Sequence, residues 1–113
     1  MSDCLFCKIA AGEIPADIVV EDDKVVAFRD IDPKAPTHVL VIPRKHHNNV
    51  ADLTRDNPEL AAALLGVAAE VAQLETLEKG YRVVTNVGSD GGQSVNHVHF
   101  HVLGGRELAW PPG

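Results

Sequence analysis

The sequence predicts an α+β fold: an antiparallel sheet of about five short strands, with one long helix and one short helix. Three observations lead there. Apolar, β-branched runs of strand length recur between Asp, Pro and Gly punctuation. Only one stretch carries sustained helical spacing. The connections between runs are short, so hairpins dominate over βαβ crossovers. At 113 residues the chain suits a single domain, 1–113, able to bury roughly two thirds of its unfolded surface.

From the N-terminal side, Cys4 to Cys7 reads as a turn entering a short helix that ends at Ala10, broken by Ala11-Gly12-Glu13-Ile14-Pro15. Ile18 to Glu21 and Lys24 to Arg29 form a hairpin about Asp22-Asp23. Asp32-Pro33-Lys34-Ala35-Pro36 is extended loop, because each proline lacks an N–H and restricts the residue before it. Thr37 to Ile42 is a third strand, stopped by Pro43.

The long helix starts at an Asp56 or Asn57 cap with Pro58 in its first turn. Leu60, Leu64, Val67, Val71 and Leu74 form a core-facing seam, and Gly80 lies past its end. Ala61, Ala68, Ala69 and Ala72 make a small-residue surface that allows close approach of a second element or subunit. Tyr81 to Val87 is a strand, Gly88 to Ser94 a glycine-rich loop, and Val95 to Leu103 the last strand.

Composition narrows the function. Hydrophobic residues make up 45% and charged residues 23%, as in an ordinary packed domain. The net charge of -6, without a Lys/Arg stripe, argues against a nucleic acid or an anionic membrane as partner. The uncharged run from Leu60 to Ala69 is ten residues, and about 18 to 20 apolar residues are needed to cross a bilayer. The start MSDCLFCK lacks the basic-then-apolar order of a secretory signal, so the expected compartment is the cytoplasm.

Chemistry concentrates near the C-terminal end. His97, His99 and His101 alternate with Val98, Phe100 and Val102, so on a strand the three imidazoles share one face and the apolar set packs inward. Three rings that must each be solvated or paired make little sense as core filling. The loop before them holds three glycines, with Gln93 and Ser94 as added donors: either a flexible hairpin loop or a phosphate cradle. Cys4 and Cys7 form a C-x-x-C pair with no strand before it, unlike a thioredoxin-type redox motif. By spacing it is either a pair of free thiols or half of a tetrahedral zinc site, completed by the His46-His47 pair and a strand histidine.

His97-Val98-His99-Phe100-His101-Val102-Leu103 resembles the signature of the histidine-triad (HIT) superfamily of nucleotide hydrolases and transferases. Phe28-Arg29-Asp30-Ile31, Ala35-Pro36-Thr37-His38, Val41 to His46, Asn86-Val87-Gly88 and Gly91 to Val95 resemble its other blocks, in order. The ending Gly104-Gly105-Arg106 with Trp110-Pro111-Pro112-Gly113 looks like the Hint branch, the purine nucleoside phosphoramidases.

The resemblance implies a homodimer whose sheets continue across the interface, with a purine nucleotide substrate beside the triad. It implies a base pocket of Leu5, Phe6, Ile9, Phe28 and Ile31, with Asp30 on the ribose and Asn86, Gly92, Gln93 and Ser94 on the phosphate side. His99 is then the nucleophile that becomes nucleotidylated, His101 a phosphate-side donor, and His38 a residue that orients the triad. Cys4, Cys7, His46 and His97 match the four ligands of a structural Zn2+ in cysteine-containing members of bacterial type, and His47 has no role.

Asn96 departs from the aromatic residue that relatives often carry, which affects leaving-group preference. The Trp110 tail is expected to reach the partner subunit's site. The competing expectations are cleavage of dinucleoside polyphosphates, a catalytic metal held by His97, His99 and His101, and a nucleotide-binding adaptor with incidental catalysis.

Overall fold

The computed structural model of the chain describes residues 3–113. Its elements run α1 (Leu5–Ala10), β1 (Ile18–Glu21), β2 (Val25–Arg29), β3 (Thr37–Pro43), α2 (Val50–Asp56), α3 (Pro58–Leu74), β4 (Tyr81–Val84) and β5 (Phe100–Gly104). The five strands form one antiparallel sheet in the order β1-β2-β3-β5-β4. Asp22 closes the first hairpin, its Oδ1 accepting from the amides of Lys24 and Val25, both at 2.8 Å.

Strand alternation divides the core. Val25 and Ala27 of β2, Val39 and Val41 of β3, and Phe100 and Val102 of β5 pack against Leu60, Leu64, Val67 and Val71 of α3. Val26, Phe28, Leu40 and Ile42 point the other way, onto Phe6 and Ile9 of α1. Every residue of β3 is buried, as expected of a central strand covered on both faces. The Ala61 and Ala68 methyls lie in the sheet-facing core and bring α3 close to it, whereas Ala69 is exposed.

The structure moves several expected boundaries. Helix α3 ends at Leu74, six residues before Gly80, and Leu74 is 57% exposed, outside the seam. The helix closes as a Schellman motif: Leu77 N donates to Ala72 O at 3.0 Å and Thr76 N to Gln73 O at 3.1 Å, with Thr76 at φ 59. Leu77 packs against the core beyond that turn. The stop is fixed by Glu75, which takes a bidentate pair from Arg29 on β2, at 2.7 and 2.9 Å, and a bond from Thr37 Oγ1 on β3. That carboxylate holds the helix end on the sheet more firmly than a distant glycine could release it.

Helix α2 was not expected. Its N-cap is Asn49, whose Oδ1 accepts from Asp52 N at 2.9 Å, and Leu53 is its only buried residue, so it shows no apolar period. The cap residue was the available signal. At β3 the strand includes Pro43, paired with Val25, one residue past the expected stop. The last two strands are shorter than expected: β4 ends at Val84 rather than Val87, and β5 begins at Phe100 rather than Val95. Before Phe100 the backbone bonds elsewhere: Val98 N donates to His47 O at 2.7 Å, and Thr85 Oγ1 to His99 O at 2.9 Å.

Candidate active site and metal centre

The segment 97–101 keeps its alternation even where it leaves the ladder. Val98, Phe100 and Val102 lie in the α3-facing core, and the imidazoles face the α1 side. Phe6 meets His99 edge-on, with ring centroids 5.1 Å apart, and His97 at 6.0 Å. His99 and His101 are 5.0 Å apart. Register then adds His38: Leu40 on β3 pairs with His101 on β5, and His38 Nε2 lies 2.9 Å from His101 Nδ1.

A neutral imidazole has one donor and one acceptor nitrogen, so each ring's partners decide where its lone pair points. His99 is buried and its Nδ1 donates to the carbonyl of His97 at 2.8 Å, which leaves the lone pair on Nε2. That is the nitrogen a nucleophile needs.

His97 is wholly buried and donates from Nε2 to the Pro43 carbonyl at 2.8 Å, so its Nδ1 lone pair faces the thiols, 3.3 Å from Cys4 Sγ and 3.4 Å from Cys7 Sγ. His46 donates from Nε2 to Asn48 Oδ1 at 3.0 Å and turns Nδ1 toward Cys7 Sγ at 3.3 Å. Burial, partly offset by the Pro43 bond, pushes His97 down to about 4, so the ring is neutral at neutral pH.

Ligand atoms of Cys4, Cys7, His46 and His97 lie within 4.8 Å of one another. Across a tetrahedral Zn2+ the N···S separation is roughly 3.5 Å, given Zn–S near 2.3 Å and Zn–N near 2.0 Å. Two thiols and two imidazoles with lone pairs turned inward, each ring braced behind by an acceptor, fit that ion well. Among the described residues, His97, His99 and His101 do not together make one converging ligand set. The triad is therefore divided: His97 is turned to the thiols, while His99 and His101 are not.

Asp30, His38 and His101 also approach one another. His38 Nε2 and His101 Nδ1 stand at hydrogen-bond distance, so one proton occupies the space between them, and the set is a bonded chain. Asp30 Oδ2 lies 3.5 Å from His38 Nε2, while Oδ1 accepts from Asp32 N at 2.8 Å. Burial lowers the His38 pKa against the pull of Asp30, and burial together with His99 and His38 pushes His101 down to about 4.

The unfolded state, with ordinary histidines near 6.5, binds more protons than the fold below that pH, so stability is full above it and falls as pH drops toward 4. Urea unfolding at pH 7.5, 6 and 5 should show this loss. His38→Gln/His101→Gln should make it shallower, with His97 carrying the remainder, and an unchanged slope in that double variant would place the proton uptake elsewhere.

The Gly88 to Ser94 loop is folded on itself. Gly92 N donates to Ser89 O and Gln93 N to Gly88 O, both at 3.0 Å. Gln93, expected on the phosphate side, has its side chain engaged within the scaffold: Oε1 accepts from Gly88 N, and Nε2 donates to Asn48 O at 2.6 Å and Val95 O at 3.0 Å. Gln93 thus links this loop to the His46–Asn48 segment. A Cβ on Gly91 would stand 2.5 Å from the Val87 carbonyl oxygen, and Gly92 sits at φ +82. Gly91→Ala should displace the loop and lower kcat/KM by about ten- to a hundredfold with little change in Tm. Steady-state kinetics beside a thermal melt checks this.

Residues 11–108 match the sequence profile of the HIT domain. The chain belongs to the HIT domain family. It is similar to a 14 kDa zinc-binding protein of Zea mays, 51% identical over 99% of this chain and 89% of that protein. Among solved structures, a HIT family hydrolase from Legionella pneumophila superposes with a TM-score of 0.94 at 57% identity, covering 98% of this chain and 100% of that one. A histidine triad nucleotide-binding protein from Candida albicans gives 0.82 at 34% identity, over 96% and 83%.

Within this HIT domain the expected base-pocket residues divide. Phe6, Ile9 and Phe28 are buried in one cluster, with Phe6 and Phe28 edge-to-face at 5.6 Å, while Leu5 and Ile31 are exposed. Asn86 is half-buried, and Ser94 lies on the surface. The structure adds residues that sequence reasoning did not single out: Pro43 and Asn48, acceptors behind His97 and His46, and the Lys34 amide beside His38. His47 is buried, with Nδ1 3.5 Å from Asp56, and its carbonyl anchors Val98 N. A cavity of about 840 Å³ near Thr76, Tyr81, Arg82 and Arg106 is lined by none of the histidines.

Proposed function

We propose that this HIT domain hydrolyses the P–N bond of purine nucleoside phosphoramidates through a nucleotidyl-His99 intermediate. The observation that carries the reading is the Nδ1–H bond from His99 to the His97 carbonyl, which leaves the lone pair of a buried imidazole on Nε2, with the His101 ring 5.0 Å away. His99 Nε2 attacks the α-phosphorus and the P–N bond to the amine breaks, its electron pair leaving with the nitrogen, which takes a proton from solvent water. Water then displaces His99 and releases the nucleoside monophosphate. Charge gathers on the nonbridging oxygens, where fixed donors lower the barrier.

Cys4, Cys7, His46 and His97 hold a structural Zn2+ in this reading, and the ion supplies rigidity to the strand that carries His99. Two thiols serving as metal ligands suit a reducing compartment, the cytoplasm. The working unit is a homodimer. Strand β4 is a sheet edge that exposes Tyr81 and Val83, and α3 exposes Leu65 and Leu74, apolar surface suited to a second copy.

Rapid-quench intact-mass spectrometry with adenosine 5′-phosphoramidates of varied amine, run beside dinucleoside polyphosphates, tests this. A nucleotidyl adduct and faster turnover of the amine series are expected. Faster dinucleotide cleavage would make the protein a dinucleoside polyphosphate hydrolase, and nucleotide binding without appreciable turnover an adaptor. Chelator-sensitive turnover without an adduct would move the chemistry to a catalytic metal.

The tail bears on specificity. Arg82 Nη2 holds the Ala109 carbonyl at 2.8 Å, and Trp110 is 83% exposed. Deleting Trp110 to Gly113 should change the ranking of amines by kcat/KM while leaving Tm nearly unchanged. Equal losses of both would make Trp110 a packing anchor.

A further inference from the structure

The chain from His38 to His101 has a direction, and a backbone amide sets it. Lys34 N lies 3.0 Å from His38 Nδ1, and a peptide N–H can only donate. His38 Nδ1 is therefore the acceptor, and in a neutral ring the proton sits on Nε2, whose neighbours, His101 Nδ1 at 2.9 Å and Asp30 Oδ2 at 3.5 Å, both accept. That proton occupies the Nδ1 side of His101, so the proton of His101 itself is on Nε2. His99 is the opposite tautomer, because the His97 carbonyl can only accept. Two rings 5.0 Å apart thus differ in which nitrogen is protonated, and in each case a main-chain group ultimately sets the difference. Burial keeps both members of the chain neutral, with His101 down at about 4.

The Lys34 peptide is itself held. Arg106 Nη2 donates to its carbonyl at 2.9 Å, and a Cβ on Gly105 would stand 2.8 Å from Pro36 Cβ, so the segment after β5 packs tightly on this loop. Pro33 and Pro36 restrict the backbone on both sides.

We infer that the Lys34 amide is a positioning group that fixes His101 as a hydrogen-bond donor to a phosphoryl oxygen, not as the acid that protonates the leaving amine. The chain ends in an amide that has no proton to give. Were His101 to lose its Nε2 proton and draw the His38 proton onto Nδ1, His38 would be left as an imidazolate with no source to restore it. A donor that keeps its proton avoids that charge and still stabilises the oxygens where charge develops.

The consequence for catalysis rests on the phosphoramidase reading, but the tautomers do not, so they are measured first, without substrate. Long-range 1H–15N correlation spectra of the zinc-loaded, histidine-labelled protein at pH 7 should show Nε2–H forms at His38 and His101 and the Nδ1–H form at His99. An Nδ1–H form or averaging between tautomers at His38 or His101 would overturn the inference. Lys34→Pro, which removes the N–H, should produce averaging at both rings; Lys34→Met, which keeps it, should not. If Lys34→Pro does not fold, Arg106→Met supplies the loosened loop, and unchanged, unaveraged rings there would count against the anchoring of Lys34.

Glutamine donates a hydrogen bond near the Nε2 position but gives up no proton. His101→Gln should therefore stay within about tenfold of the parent kcat, while His101→Ala loses about a hundredfold or more. Equal losses in the two would make His101 the acid and refute the assignment. The expected tautomers in a protein that turns over no phosphoramidate would support the inference about Lys34 and overturn the reading of function.

Discussion

His99→Ala is expected to remove the nucleotidyl adduct altogether and to lower kcat by about four orders of magnitude or more, in keeping with loss of a nucleophile. The substitution takes away the one imidazole of the triad whose lone pair meets no partner among the described residues. His97 directs its lone pair at the thiols, and His101 Nδ1 is occupied by His38. His99 is buried against Phe6, so a cavity cost of about 2–4 kcal/mol accompanies the change, and the readout must separate the two effects. His99→Gln keeps more of the volume and should show the same loss of adduct with a smaller fall in Tm. An adduct that persists in either variant would assign the nucleophile to another residue.

Metal removal should have the largest effect on stability. Zinc bound at a thousandfold over its dissociation constant adds about 4 kcal/mol to the folded state, which in a domain of this size corresponds to roughly 15 °C in Tm. Cys4 and Cys7 flank the start of α1, His46 follows β3, and His97 leads into β5, so an ion held there would join three separate parts of the chain. Chelation, or Cys4→Ser with Cys7→Ser, should abolish one equivalent of zinc by elemental analysis and lower Tm by that amount. It should also loosen the His97 carbonyl that holds His99 Nδ1, so the His99 ring should lose its fixed tautomer. Protein that holds no zinc when loaded, or whose Tm ignores chelation, would make the cluster a thiol–imidazole hydrogen-bond network.

Much of this was legible because it depends on local periodicity. The spacing of Leu60, Leu64, Val67 and Val71 reports a helix face, and that face lies on the sheet. Leu74 satisfies the same period and is exposed, because Glu75 reaches Arg29 and ends the helix there. Helix α2 escaped notice for the opposite reason: with one buried residue it has no period to read. The strand ends at Val84 and Phe100 were also hidden, since a ladder stops where its partner does, and Val98 bonds His47 instead of a strand.

For the site, the sequence by itself determined which side chains share a face. Successive residues of an extended chain point to opposite sides, so His97, His99 and His101 had to emerge together and Val98, Phe100 and Val102 opposite them. It also determined that two thiols three positions apart could reach one ion. Only the tertiary structure decided which nitrogen of each ring carries the proton. That choice belongs to the group behind the ring: for His99 it is the nearby His97 carbonyl, but for the other two it comes from elsewhere in the chain, the Pro43 carbonyl for His97, 54 residues away, and His38 for His101, 63 residues away. A period of two specifies a direction in space but not the hydrogen-bond partner waiting there, and in an imidazole the partner sets the chemistry.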